Sequence, residues 1–295
     1  MPSHPPDPPG AVPIKGAPLA AELKADIAAR AERLTAGGHQ PVMVAVVGSS
    51  DGAVRSYAES KARAAAKLGI ALRLVEMEDG TDQASLEHVL TGLSEDPAIH
   101  GIMLELPLDA RFDENRAIAC LDPAKDVDGL TPINLGLIAA GREAEALAPA
   151  TPLACIRLAE TQGALRGRPV AVIGRGRTVG RALIPMLINR DATVTVCHTR
   201  TRDLGAALAA AEIVFVAAGR PGLLTASLVR PGQIVIDAGI NPTETGIVGD
   251  ADPAIAAVVQ AFTPVPGGVG PLTSTLIFDN LLRAMALQGI PGAAP

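Results

Sequence analysis

The chain of 295 residues contains no tryptophan, one tyrosine and four phenylalanines. It therefore lacks the aromatic platforms on which proteins stack the bases of single-stranded nucleic acids. Acidic residues outnumber basic ones, and the formal net charge is −6. A protein of this charge is a poor candidate for binding that depends on neutralising phosphates. We expect no nucleic-acid partner.

Cysteines and long apolar runs are also scarce. Cys120, Cys155 and Cys197 lie far apart and form no CxxC pair, so neither a disulfide framework nor a zinc site is predicted, and we expect no metal. No apolar run approaches the ~20 residues of a membrane span, and the proline-rich N-terminus lacks the apolar stretch of a signal peptide. These absences predict a cytoplasmic protein without a membrane partner.

What the chain does contain is a regular alternation of apolar strand segments and amphipathic helical segments. The predicted strands are 41–47, 70–75, 99–104, 169–173, 192–197, 212–217 and 233–237. Strands separated by helices imply right-handed crossovers and parallel sheets, so the fold class is α/β. A polar stretch at 141–152 marks a domain boundary, and residues 1–13 are predicted to be a disordered tail. A hairpin is expected around 241–250, and the last helix at about 273–288.

A glycine-rich turn follows the apolar strand 169–173. Gly174, Gly176 and Gly180 give the spacing GxGxxxG, and an amphipathic helix follows. Glycines in such a turn let the backbone approach a pyrophosphate, which then lies at the helix N-terminus. A tight turn without any ligand remains the alternative explanation.

The end of the next strand discriminates between the two nicotinamide dinucleotides. An NAD site usually carries an acidic residue there, which binds the ribose 2′-hydroxyl. This chain has His198, Thr199, Arg200 and Arg202 instead. Hydroxyl and guanidinium donors suit a 2′-phosphate, so NADP is predicted. His198 is predicted to be a neutral contact beside the cofactor.

Tyr57 and Lys61 are spaced i and i+4, which places them on one face of a helix. A YxxxK pair with a dinucleotide fold first indicates a short-chain dehydrogenase. In that class, however, the pair follows the glycine-rich turn, whereas Lys61 precedes Gly174. The pair therefore belongs to another domain. A core tyrosine beside an exposed lysine is the structural alternative.

Three further segments complete a pattern with that pair and with the glycine-rich turn: Gly101–Leu108 (GIMLELPL), Lys125–Gly129 (KDVDG) and Pro264–Thr273 (PVPGGVGPLT). Over about residues 14–288 the chain resembles the bifunctional methylenetetrahydrofolate dehydrogenase/methenyltetrahydrofolate cyclohydrolase family. The resemblance implies two βα domains around a cleft and a homodimer. Residues 14–150 and 273–295 would form a folate-binding catalytic domain, and 151–272 a Rossmann-like NADP-binding domain.

The resemblance also implies site residues. The catalytic positions would be Tyr57, Lys61, Glu105 and Asp128. Substrate contacts would come from Tyr57, Leu106, Pro107, Asp128, Gly267 and Gly268. Cofactor contacts would come from Gly174, Arg175, Gly176, Gly180, His198, Thr199, Arg200, Gly219, Pro221, Ile240, Gly270 and Thr273. The chemistry at Asp128 agrees, because a carboxylate can accept both adjacent N–H donors of a pterin edge.

The implied activity is NADP-dependent oxidation of 5,10-methylenetetrahydrofolate to the 5,10-methenyl form. Hydride leaves a carbon between two nitrogens whose lone pairs stabilise the cation, so this step needs positioning and no protein base. Hydrolysis of the methenyl form to 10-formyltetrahydrofolate needs proton transfer, for which Lys61 is the expected base. A monofunctional dehydrogenase acting on a modified pterin and a catalytically silent NADP-binding regulator remain alternatives.

The sequence departs from the family at the chemical site. Glu105 replaces a glutamine and Val54 replaces a serine. A carboxylate within about 4 to 6 Å of an amine stabilises the charged ammonium, which leaves less free amine to act as a base. We therefore expect a competent dehydrogenase with weak or absent hydrolysis. The competing outcome is a Glu105 that turns away or is itself protonated.

Overall fold

The computed structural model describes residues 10–244 and 246–293. They form two compact units. One contains Pro18–Leu153 and the residues from Leu272 onward, and we call it the lysine unit because it contains Lys61. The other contains the described residues up to Ala17 together with Ala154–Pro271, and we call it the glycine-turn unit. In the described part of the chain no helix is long and apolar enough to cross a membrane.

The strands in chain order are β1 (Val12–Pro13), β2 (Val42–Val47), β3 (Ala71–Glu76), β4 (Gly101–Glu105), β5 (Pro169–Ile173), β6 (Thr193–Cys197), β7 (Ile213–Val216), β8 (Ile234–Asp237), β9 (Asn241–Thr243), β10 (Gly246–Val248) and β11 (Ala261–Phe262). The α-helices are α1 (Ala17–Ala36), α2 (Gly52–Ala66), α3 (Gln83–Glu95), α4 (Glu114–Ala119), α5 (Pro132–Ala139), α6 (Ala150–Glu160), α7 (Gly180–Ile188), α8 (Leu204–Leu208) and α9 (Val269–Leu287). The predicted alternation and the hairpin, now β9–β10, are confirmed.

The lysine unit is built on a parallel sheet in the order β3-β2-β4. Side chains alternate across β4 because successive residues of a strand point to opposite faces. Ile102 and Leu104 join an apolar core with Leu86 and Leu90 of α3, whereas Glu105 contacts α2 on the other face. The alternation on β4 thus aims a carboxylate at a helix.

The glycine-turn unit is built on a parallel sheet in the order β1-β11-β8-β7-β5-β6. Its first strand in the crossover series, β5, has β6 on one side and β7 on the other. The strand order therefore reverses at β5, because the chain continues to one side with β6 and returns to the other side with β7. Parallel sheets of this kind bind their ligands at the reversal point, outside the carboxyl ends of the strands.

The predicted disordered tail is corrected for its last residues. Val12 and Pro13 form β1, which pairs with Ala261 and Phe262 of β11, and Ile14 is buried. Main-chain pairing at the sheet edge and burial of Ile14 hold this segment. Residues 14–17 also cluster with the glycine-turn unit rather than with the predicted folate-binding domain. Residues 1–9 of the predicted tail lie outside the described residues.

Two helices differ from the sequence prediction. Helix α5 was not predicted, although Thr131 caps it and Pro132 occupies its first turn, both usual start signals. Helix α9 begins at Val269, four residues earlier than expected. From Leu272 onward α9 belongs to the lysine unit, and its Asn280 donates hydrogen bonds to the carbonyls of Val127 and Ala148.

Candidate active site

A buried ion pair lies at the centre of the lysine unit's candidate site. The Nζ of Lys61 on α2 lies 2.9 Å from both carboxylate oxygens of Glu105 at the end of β4. The side chains are 9% and 5% exposed. Glu105 therefore faces Lys61 directly, and the competing arrangement in which it turns away is not found.

The loops at the carboxyl ends of β2 and β4 determine where α2 begins. Asp51 caps the helix by accepting the Ala53 N–H at 2.8 Å. Just before this cap, the N–H and hydroxyl of Ser50 both donate to Asp109, at 3.0 and 3.1 Å, and the bond from the Ser50 backbone is the main cause that lowers the Asp109 pKa. Asp109 follows Glu105 by four residues, so these bonds tie the start of the Lys61 helix to the strand that carries Glu105.

The remaining neighbours of the Lys61 ammonium are electron-rich. Its Nζ lies 3.4 Å from the sulfur of Met103 and 4.3 Å from the centroid of the Tyr57 ring. The tyrosine ring is 51% exposed, and its hydroxyl lies 3.3 Å from the Ser274 Oγ. The predicted alternative of a core tyrosine with an exposed lysine is thus wrong, since the burial is reversed.

Asp128 adds a second carboxylate near the pair. Burial is the main cause that raises its pKa to about 7, the charge of Lys61 opposes this rise, and Asp126 and Glu105 add to it. No hydrogen bond to the Asp128 carboxylate is found among the described residues. A partly buried acid without a protein donor is suited to accept hydrogen bonds from a ligand.

The segment that carries Asp128 is held by its neighbour Asp126. The buried Asp126 carboxylate accepts the Thr131 N–H at 2.7 Å and the Asn134 amide at 3.1 Å. Burial raises the Asp126 pKa against these bonds. Of the two acids in the KDVDG segment, Asp126 thus uses its carboxylate in hydrogen bonds that stabilise the fold. The Asp128 carboxylate accepts no hydrogen bond from the described residues.

Gly129 completes the turn after Asp128. Its φ is +67°, and a Cβ there would overlap the carbonyl of Leu147 and the nitrogen of Pro149. Only glycine meets both requirements. The requirement for glycine in this segment is therefore a packing requirement, and its effect is to present Asp128 in a defined loop.

In the glycine-turn unit, Gly174 and Gly180 allow close backbone contacts within the GxGxxxG turn that a side chain would prevent. Gly174 has a φ of +110°, and a Cβ there would overlap the carbonyl of Ala217 after β7. A Cβ on Gly180 would overlap the carbonyl of Gly174. By contrast, a Cβ on Gly176 would meet nothing within 4 Å. The turn thus lies at the sheet's reversal point, and open space surrounds its Gly176.

The end of β6 presents the predicted phosphate-binding groups. Arg175, Thr199 and Arg200 are exposed. His198 lies in a tight turn. Its backbone N–H donates to the Thr201 hydroxyl at 2.9 Å, and its ring Nδ1 accepts the backbone N–H of Arg200 at 3.1 Å. The Nδ1 of His198 is therefore used inside the turn, and its Nε2 is the ring atom left to face a ligand.

Asp250 holds the loop that contains Gly219 and Pro221, and sequence reasoning missed it. Its fully buried carboxylate accepts the N–H groups of Ala218, Gly219 and Arg220 at 2.6, 2.9 and 2.8 Å. Asp237 braces Asp250 in turn by accepting its N–H at 3.1 Å, and burial raises the Asp237 pKa. The available signal in the sequence was Asp237, an acid at the carboxyl end of the otherwise apolar strand β8.

The other predicted contacts follow β8 and β11. Ile240 is 63% exposed. Gly267 has a φ of +107°, and Gly268 has no space for a Cβ beside Thr263 and Pro264. Gly270 lies in the first turn of α9.

The structure thus divides the predicted site residues between the two units. The lysine unit holds Tyr57, Lys61, Glu105, Leu106, Pro107, Asp128 and Thr273. The glycine-turn unit holds Gly174, Arg175, Gly176, Gly180, His198, Thr199, Arg200, Gly219, Pro221, Ile240, Gly267, Gly268 and Gly270. Within the glycine-turn unit these residues follow the carboxyl ends of parallel strands. Met103 and Ser274 were not predicted; Met103 shares a strand face with Glu105, and Ser274 adjoins a predicted residue.

Two family models match the chain. Residues 14–128 match the tetrahydrofolate dehydrogenase/cyclohydrolase catalytic domain, and residues 149–289 match the NAD(P)-binding domain of the same family. The first match contains Tyr57, Lys61, Glu105 and Asp128, and the second contains the glycine-rich turn.

Individual relatives agree with the family models. The bifunctional protein FolD of Deinococcus radiodurans is 53% identical over 252 residues, which cover 84% of each chain. FolD of Heliobacterium modesticaldum is 45% identical and covers 94% of this chain and 96% of its own. Among solved structures, a Trypanosoma brucei methylenetetrahydrofolate dehydrogenase-cyclohydrolase, complexed with NADP cofactor and inhibitor, has a TM-score of 0.88 at 32% identity. It covers 96% of this chain and 99% of its own.

Proposed function

Because the chain belongs to the tetrahydrofolate dehydrogenase/cyclohydrolase family, we propose that its lysine unit binds the folate and that Lys61, Tyr57 and Asp128 form the reacting site. The chain is an NADP-dependent methylenetetrahydrofolate dehydrogenase with an associated cyclohydrolase activity. The proposed site rests on the cluster formed by Lys61 and Tyr57 of helix α2 and by the Asp128 carboxylate of the KDVDG segment, which accepts no hydrogen bond from the described residues.

Asp128 is the proposed anchor of the pterin. A 2-amino-4-oxopyrimidine edge offers two adjacent N–H donors, and one carboxylate can accept both. The ring of Tyr57, half exposed and backed by the Lys61 ammonium, offers a flat apolar surface for stacking. Together the two side chains would hold the pterin by its edge and its face.

NADP is the cofactor, and the residues of the glycine-turn unit fit it. The described residues place no ion-pair partner on Arg175 or Arg200, and no acid stands at the end of β6. Open space at Gly176 gives a pyrophosphate access to the backbone. When bound, NADP supplies the hydride acceptor for oxidation of the methylene carbon.

The chain's own residues have different tasks in the two reactions. In the oxidation they bind and orient the folate, because its two nitrogens stabilise the cation without a protein base. In the hydrolysis a base must take a proton from water, and Lys61 is the proposed base. Only the hydrolysis therefore requires Lys61 in its unprotonated form.

One spectroscopic assay tests the proposed function. Purified protein is mixed with methylenetetrahydrofolate and NADP, and the absorbances of NADPH and of methenyltetrahydrofolate are followed separately. We expect NADPH to form in proportion to methylene carbon oxidised. Binding of NADP without NADPH formation would instead support the silent regulator.

Arg175→Ala should weaken the binding of NADP and leave the binding of NAD almost unchanged. Loss of one hydrogen bond to a charged group costs about 1.5 to 3 kcal/mol, and only NADP carries the 2′-phosphate that this guanidinium would contact. Dissociation constants for both dinucleotides, measured by calorimetry, test it. Arg166→Ala, which removes a surface arginine paired with Asp191, is the matched control. Equal losses for NAD and NADP would contradict the assignment.

The resemblance implies a homodimer and the composition predicts a cytoplasmic protein, and we infer both for this chain. The hairpin β9–β10 supports an interface, because it exposes the apolar side chains of Ile247 and Val248. Light scattering should give twice the mass of one chain. A monomer at micromolar concentration would contradict it.

A further inference from the structure

We propose that Glu105 is a positioning residue that holds Lys61 as an ammonium and so makes oxidation outpace hydrolysis in this chain. The inference rests on the proposed function and extends it to the balance between the two activities. It predicts that methenyltetrahydrofolate is released and accumulates during turnover.

The contacts of Lys61 carry the proposal. Its Nζ lies 2.9 Å from both oxygens of Glu105 and 3.4 Å from the Met103 sulfur, with the Tyr57 ring face at 4.3 Å. All these neighbours accept hydrogen bonds or attract a cation, and none of them donates to a nitrogen lone pair. An ammonium satisfies every one of them, whereas a free amine would direct its lone pair at electron-rich atoms.

Burial strengthens this preference. The two side chains are 9% and 5% exposed, so water screens their interaction little. The titratable groups facing Lys61 are Glu105 from β4, Tyr57 from its own helix and Asp128 from the KDVDG segment. Two carboxylates thus act on one amine, and both stabilise its charged form.

The hydrolysis requires the opposite form. Water adds to the methenyl carbon and forms a C–O bond. As the bond from that carbon to N5 breaks, N5 takes one of the two water protons and the other passes to a base, so that methenyl cation and water become 10-formyltetrahydrofolate and a proton. Lys61 cannot accept that proton while it is an ammonium. Oxidation makes no such demand, so it is not slowed.

Glu105→Gln tests the proposal, with methenyltetrahydrofolate as the probe and without NADP. The variant keeps the shape and an acceptor oxygen but removes the charge. We expect hydrolysis near neutral pH to rise about tenfold or more. Glu105→Asp, which retains the charge, should keep hydrolysis slow.

Glu87→Gln is the matched control, since it neutralises a carboxylate that pairs with Arg116 on the surface of the same unit. It should change neither rate. Dehydrogenase rates and unfolding midpoints are measured for every variant. Equal effects of Glu105→Gln and Glu105→Asp would overturn the inference, because a purely structural role does not distinguish charge.

The unmutated protein provides a test that needs no variant. Its hydrolysis should be slower than its dehydrogenase rate. A hydrolysis rate equal to the dehydrogenase rate would overturn the inference and leave the proposed function intact. Failure of the proposed function would be recognised separately, as absence of NADPH formation.

Discussion

Replacing Lys61 with methionine should lower the free energy of unfolding by about 3 to 5 kcal/mol, because removal of one partner leaves the other charge buried and unpaired. The charge left behind is Glu105, which is 4% exposed and has Lys61 as its ion-pair partner. Urea unfolding near neutral pH measures the loss. Hydrolysis of methenyltetrahydrofolate should also disappear, since the proposed base is gone.

Two further variants show whether the loss comes from the pair itself. The double variant Lys61→Met with Glu105→Leu removes both charges and should recover most of the stability, since buried pairs replaced by apolar residues are often neutral. Lys67→Met removes an exposed lysine just beyond the same helix and should change stability little. A Lys61→Met protein as stable as the unmutated one would show that Glu105 can escape to water or take up a proton.

Asp128→Asn should raise the Michaelis constant for the folate on the order of 100-fold, because one of the two acceptor oxygens is replaced by an amide donor that faces a pterin donor, and the remaining oxygen carries no charge. The Michaelis constant for NADP should not change. Asp79→Asn, which neutralises an exposed acid of the same unit, is the control. A folate constant within twofold of the unmutated protein would show that the pterin lies elsewhere.

The pKa of Asp128 predicts how these effects depend on pH. It is raised from 3.8 to about 7, mainly by burial, so the folded state binds this proton more tightly than the unfolded state. The resulting stabilisation is full below about pH 4 and is lost as the pH rises through about 7. Asp128→Asn should therefore be more stable than the unmutated protein at about pH 8 and no more stable at about pH 4.

Folate binding should follow the opposite trend in the unmutated protein. The pterin donors need the carboxylate, so the Michaelis constant should rise as the pH falls below about 7 and Asp128 becomes protonated. In Asp128→Asn the same constant should be high at every pH. A Michaelis constant for the folate that does not change with pH in the unmutated protein would show that folate binding does not depend on the ionisation of Asp128.

Features that depend on neighbouring residues were predictable from the sequence. The i and i+4 spacing placed Tyr57 and Lys61 on one helix face, and the ring does lie against the ammonium. Strand alternation and the GxGxxxG spacing predicted β5, its turn and the crossover helices. These are local properties, because periodicity and backbone freedom act over a few residues.

Features that depend on distant residues were decided by the tertiary structure. The sequence shows that Glu105 stands where the family has a glutamine. Only the packing of α2 on β4, however, brings its carboxylate to 2.9 Å from the amine of Lys61, 44 residues away in the chain. In the same way, Asp250 holds a loop about thirty residues before it, and β1 joins a strand from the far end of the chain. The pKa of Asp128 likewise reflects the burial that the folded unit imposes. A residue's type and spacing set what it can do, but its charge state and partners follow from which elements exclude water around it.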